Sequence, residues 1–190
     1  MKHPATRELY AYWDKQRGHA PAPERGAMEP GPIRHLIGDM FVAGCDEPGR
    51  FPLRLCGTRI CAMVGRDVKG EDFLDLFARA SRRQVEDFVS FAAEETLATI
   101  AGVTAFTERR SAVHLELLLL PFAASVLSPQ SVTGSLVALG VPTEAEPSPL
   151  RDFSLVTWRH AGHRTLRQRA VRRLALAKGL MVYEGPRDER

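Results

Sequence analysis

The chain has 190 residues, of which 44% are hydrophobic, 26% charged and 7% aromatic, the composition of a folded domain with one core. That balance excludes wholesale disorder, a collagen-like fibre and a disulfide-stapled miniprotein. The formal charge of +3 conceals a split: residues 1–152 hold 17 Lys and Arg against 20 Asp and Glu, whereas residues 153–183 hold seven basic residues and no acid. A segment of that kind attracts acidic partners.

Three cysteines, Cys45, Cys56 and Cys61, are an odd number in a chain long enough to build a core unaided, so a reducing cytoplasm is expected rather than a disulfide framework. The opening Met1-Lys2-His3-Pro4 lacks the apolar run of a signal peptide. The strongest apolar run, residues 115–124, contains Glu116 and Pro121 and is far shorter than the roughly 20 residues that span a bilayer. A cytoplasmic location without membrane contact is the expectation.

In chain order, residues 5–17 place Leu9, Tyr12, Trp13 and Gln16 at helical spacing, with Gly18 as a stop. Residues 19–32, with four prolines and two glycines, read as an extended surface linker. Residues 40–43 and 51–56 read as a hairpin, and the alternation of Phe51, Leu53 and Leu55 gives the second strand one apolar face. Residues 58–77 read as short helical pieces broken by Gly65 and Gly70. Ser81-Arg-Arg-Gln then offers a capping box for a longer helix reaching about residue 99, with Val85, Phe88, Val89 and Ala92 on its apolar stripe.

Three strands follow at residues 100–109, 112–122 and 132–141, joined closely enough to be antiparallel and sequential. The middle one has Val113, Leu115, Leu117 and Leu119 on one face, while His114 and Glu116 mark the other, so it is expected at the centre of the sheet. After a Pro-rich stretch, residues 153–160 are strand-like. Residues 163–178 carry Leu166, Ala170 and Leu174 on one helical stripe before Gly179.

Strand, strand, helices and a three-strand meander is the order of a PAS domain, and local sequence narrows the choice. Residues 53–77, in which Gly57-Thr58 closes a strand and Gly65-Arg66-x-x-x-Gly70 leads to Phe73-x-x-Leu76, resemble the corresponding PAS stretch. Leu9-x-x-Tyr12-Trp13-Asp14-x-x-Arg17-Gly18, Pro23-x-Arg25 and Glu29-Pro30-x-x-Ile33 resemble the N-terminal part of an alphaproteobacterial PAS family long described as a domain of unknown function. The resemblance covers about residues 7–142. It implies an α+β fold with a PAS-like antiparallel five-stranded sheet, helices over one face, a preceding N-terminal helix and an appended basic C-terminal helix. The division expected is 1–32 for the first helix and linker, 33–160 for the PAS-like domain and 161–190 for the basic helix and tail.

The resemblance also implies a bacterial sensory or regulatory module in signal transduction, with a small molecule between sheet and helices or with the sheet as an interaction surface. It names no cofactor. The flavin-binding relatives carry Gly-Arg-Asn-Cys where this chain reads Gly65-Arg66-Asp67-Val68, without a thiol, and residues 80–99 hold no His for a haem iron. Nucleophile elbows, phosphate-binding glycine loops and paired metal-ligand motifs are missing from the sequence. The pairs His160-x-x-His163, Cys56-x4-Cys61 and His114-x-Glu116 read as solvated or packed side chains before they read as metal, redox or acid–base sites.

The expectation is therefore a non-catalytic module that meets a protein partner or a second copy of itself. Tyr12, Trp13, Arg54, Arg59 and Leu117 are the candidate ligand-binding residues, the arginines supplying charge for an anion. Arg164, Arg167, Arg172 and Arg173 are candidate interaction residues on the basic helix. The alternatives are a nucleic-acid-associated regulator using that helix without specific base readout and an enzyme built in the PAS-like pocket.

Overall fold

The computed structural model describes residues 1–45, 49–124, 130–140 and 148–161. Helix α1 (Pro4–Arg17) starts where the His3 ring nitrogen accepts the Ala5 N–H, and it stops at Gly18, whose φ of 54° suits a residue without Cβ. The elements that follow are β1 (Met40–Gly44), β2 (Leu53–Cys56), α2 (Thr58–Val64), α3 (Arg79–Glu94), β3 (Thr99–Phe106), β4 (Ala112–Pro121), β5 (Ser131–Ala138) and β6 (Arg151–His160). They form one antiparallel sheet in the order β2-β1-β5-β4-β3-β6. The strand-like residues 153–160 thus extend the expected five strands to six by pairing along β3. No helix among the described residues is long and apolar enough to cross a membrane.

Both faces of the sheet are covered. Leu115, Leu117 and Leu119 of β4 pack with Phe41, Leu53, Ala101 and Leu136 against α2, α3 and the turn Phe73–Leu76. The opposite face gives Ile100, Leu118 and Leu120 to a second cluster with Leu9 and Trp13 of α1 and with Ile33 and Leu36. Strand β4 is accordingly apolar on both sides because it is sandwiched, as expected of a central strand. The linker is not wholly superficial: Ala22 is buried in the second cluster, and the Pro23 carbonyl accepts the Ala123 N–H at 2.9 Å.

Three expectations are corrected. In β2 a bulge at Arg54 sets Leu53 opposite Ala43 but Leu55 opposite Val42, so Leu55 turns to the outer side and is 43% exposed. One extra residue reverses every side chain beyond it. Helix α3 does not start with Ser81 as its cap; Ala78 holds that place, its N–H bound to the Phe153 carbonyl at 2.9 Å, and Ser81 lies buried in the first turn. It also ends earlier than expected, at Glu94. Thr96 adopts φ 54°, and the Leu97 N–H returns to the Ala92 carbonyl, a Schellman closure made without glycine.

Gly57 explains the Gly-Thr signature physically. It precedes α2, donates its N–H to the Met40 carbonyl at 2.7 Å, and lies so close to the carbonyls of Ile37 and Gly38 that a Cβ would collide with both oxygens. Backbone rather than a flexible side chain blocks the space, so Gly57→Ala is expected to destabilise the fold by about 1–3 kcal/mol, measured by thermal denaturation.

Candidate functional site

The residue that ties α1 to the sheet is Glu116. It lies in β4 among apolar neighbours, on the α1 face, and is only 5% exposed. Its carboxylate accepts the Lys2 N–H at 2.6 Å and the His3 N–H at 3.0 Å. Burial by itself would raise the pKa of this group, but the two amides, together with the Thr6 hydroxyl and the N-terminal ammonium, outweigh burial and hold it below the ordinary carboxylate value. Glu116 is therefore a charged peg under the start of α1 rather than the solvent-facing residue expected from strand alternation. His114, two positions earlier, is exposed beside the Thr104 hydroxyl at 3.2 Å, so the two do not form an acid–base pair.

The other end of α1 is held by Trp13, which is 2% exposed and donates its indole N–H to the Pro121 carbonyl at 2.9 Å. Tyr12 points elsewhere, donating its hydroxyl to the Glu29 carbonyl at 3.0 Å. Between α1 and the end of β6 runs a groove of about 670 Å³, lined by Arg7, Tyr10, Trp13, Leu97, Arg159 and Ala161 among others.

The candidate ligand-binding residues are spread over both faces of the sheet. Arg59 projects from α2 and is engaged by a two-pronged ion pair with Asp39 at 2.7 and 2.8 Å and by the His35 carbonyl at 2.7 Å. Arg54 is the exposed bulge residue of β2. Leu117 sits on the α3 side, separated by the sheet from Tyr12 and Trp13. The structure thus does not gather these five side chains around one ligand. The groove draws Trp13 together with Arg7 and Arg159, a combination hidden from sequence because Arg159 comes from a strand 146 positions away from Trp13.

On the α2 and α3 side the space beneath the helices is filled by aromatic rings. Phe41 stacks on Phe73 at 5.0 Å, Phe73 meets Phe77 edge-on at 5.3 Å, and Phe77 meets Phe153 at 6.2 Å, all four at most 3% exposed. Val68, which stands where the flavin-binding motif has its Cys, is fully buried in this cluster. An apolar side chain there offers no nucleophile to a flavin ring.

Among the described residues, Cys45, Cys56 and Cys61 form no disulfide. Cys56 and Cys61 lie against each other; burial first, and then the neighbouring Cys61, push the Cys56 thiol up to about 12, which keeps it protonated at neutral pH. His160 is set among Phe91 and Trp158, at ring separations of 5.2 and 5.9 Å. His163 lies outside the described residues, as do Arg164, Arg167, Arg172, Arg173 and the expected C-terminal helix. Among the described residues no group of three or more His, Cys, Asp or Glu could hold a metal ion.

A family model described as a PAS domain matches residues 1–137. No curated protein matches the chain. Solved structures with a similar chain course include a light-oxygen-voltage domain studied with a flavin analogue, at 11% identity and a TM-score of 0.46 over 58% of this chain and 83% of that one. The light-state domain of the blue-light photoreceptor Aureochrome1 follows at 9% identity and a TM-score of 0.44, over 57% of this chain and 87% of that one. An RNA-binding light-oxygen-voltage receptor has 17% identity and a TM-score of 0.47, over 62% of this chain and 35% of that one.

Proposed function

The chain belongs to the PAS domain family, and from that premise we propose that it is a non-catalytic sensory or regulatory module that acts by contact with another protein. The observation that carries this reading is the division of labour between the two faces of the sheet. The face under α2 and α3 is committed to a packed aromatic core. The other face is closed by one short helix held at one end by a carboxylate and at the other by an indole.

A helix whose strongest ties lie at its two ends can be displaced as a unit, and its displacement would bare Leu118, Leu120 and Ile100 to a partner. The separate partners of His114 and Glu116 and the protonated state of Cys56 favour a binding role over catalysis. The basic segment, with Arg164, Arg167, Arg172 and Arg173, supplies the charge for an acidic partner surface.

Native mass spectrometry of the chain purified from its own host tests the reading, because it reports retained ligand and stoichiometry together. A defined complex, with a second copy or with another protein, is the expected result. A bare monomer that binds nothing, or a chain that turns over a substrate, overturns it.

A further inference from the structure

We infer that the groove between α1 and the end of β6 binds a small organic anion, its charge held between Arg7 and Arg159 and its apolar body laid along Tyr10, Leu97 and Ala161. This deepens the sensory reading by naming the ligand class. At about 670 Å³ the groove has the size of a small-molecule site. Its walls come from α1 on one side and from the end of β6 with residues 96–98 on the other.

The charges in the groove are unevenly matched. Arg17 is neutralised by Asp14 and lies over the Trp13 ring at 5.5 Å. Among the described residues the Arg7 guanidinium donates only to the Lys2 carbonyl, at 3.1 Å, and that of Arg159 only to the His160 carbonyl, at 3.4 Å. Among the described residues no carboxylate lies within ion-pair distance of either. Two guanidinium groups facing one concavity from opposite walls without a counter-charge raise the local concentration of anions, and their planar forks match a carboxylate or phosphate.

Apart from these two arginines, the Asp14–Arg17 pair that also lines it, and Thr96, the groove is walled by apolar and aromatic side chains. Trp13 forms its floor, and the half-buried Tyr10 is kept neutral by burial, its hydroxyl 3.5 Å from the Ala161 carbonyl. A free inorganic ion would use the arginines but not the apolar wall. An anion carrying a ring or short chain uses both.

The test is calorimetric titration of the intact chain with 2-naphthoate, 2-naphthyl phosphate and the uncharged 2-naphthol. The anions are expected to bind with one-site saturation and the naphthol at least about tenfold more weakly, because it forgoes the charged hydrogen bonds. The tighter of the two anions tells an organic acid from a phosphomonoester. Arg7→Gln and Arg159→Gln should each weaken anion binding by about tenfold. Arg109→Gln, in the turn between β3 and β4, should leave it unchanged. Arg7 and Arg159 are exposed, so their variants are expected to keep the wild-type circular dichroism, and Arg→Lys at either position should restore part of the affinity. Absence of saturable binding, equal affinity for naphthol, or glutamine variants that bind as the wild type overturns the inference. Since the titration uses the purified chain alone, it can fail while the native mass still reports a partner, and the two readings stand or fall separately.

Discussion

Leu117→Asp is expected to bring the protein close to unfolding at neutral pH. Leu117 is fully buried at the centre of β4, flanked by Ala101 of β3 and Leu136 of β5, which are themselves no more than 3% exposed. An aspartate there has no cation or amide to meet, and its ionised form would lie in apolar surroundings. The lost apolar contact and the unpaired charge together cost about 4–5 kcal/mol or more, against a total stability of about 5–15 kcal/mol for a domain. Chemical denaturation should show the midpoint collapsing. Leu55→Asp is the control: sequence alternation places it on the same face, but the bulge turns it outward, and its change should stay within about 1 kcal/mol. Equal losses in the two variants would show that the assignment of faces is wrong.

Glu116→Gln is expected to loosen α1 selectively. The amide keeps the shape of the side chain but replaces a carboxylate that accepts two backbone N–H groups, and one of its ends now presents a donor to donors. Hydrogen bonds to a charged acceptor contribute about 1.5–3 kcal/mol each, so a loss of about 2–4 kcal/mol is expected at pH 7. It should fall on residues 4–17 before the rest of the chain. Hydrogen exchange in α1 reads this directly: protection there should drop while β3 and β5 keep theirs. Uniform loss across the sheet, or none, would show that the carboxylate does not act as the peg.

The pH dependence follows from the direction of the shift. Because the folded pKa of Glu116 lies below the ordinary 4.5, its contribution is present in full above that value. It is lost as the pH falls through the folded pKa. Wild type and Glu116→Gln should therefore differ most at neutral pH and converge in acid. A difference that grows on acidification contradicts the assignment.

Local periodicity was enough to find the elements but not always their ends. The stripe of Leu9 and Trp13 marked α1, and the alternation through residues 113–119 marked β4 as the middle of the sheet. The apolar stripe overextends α3 because the helix end depends on Thr96 taking a left-handed conformation, which threonine rarely signals. The capping pattern at Ser81 points to a later start, whereas a backbone contact from Phe153 fixes the chain three residues earlier. The misplaced face of Leu55 has a similar origin, since a bulge is a property of two paired strands and not of one.

Glu116 is instructive because a signal was present. A lone carboxylate inside a run of leucines has to be paired or displaced from the core, and strand alternation offered the displaced reading. That reading assumed an open outer face.

The sequence by itself determined the α+β class, the antiparallel meander and the PAS resemblance, since each rests on side-chain periods and short motifs within a few dozen residues. Only the tertiary structure decided that α1 closes the second face of the sheet, that β6 adds a strand beside β3, and that Arg7 and Arg159 share one groove. Those features join segments distant in the chain, 45 to 61 positions for the β3–β6 pairs and 152 for Arg7 and Arg159, and their energies come from desolvation and pairing across the sheet. No local pattern encodes which distant residue will supply the partner.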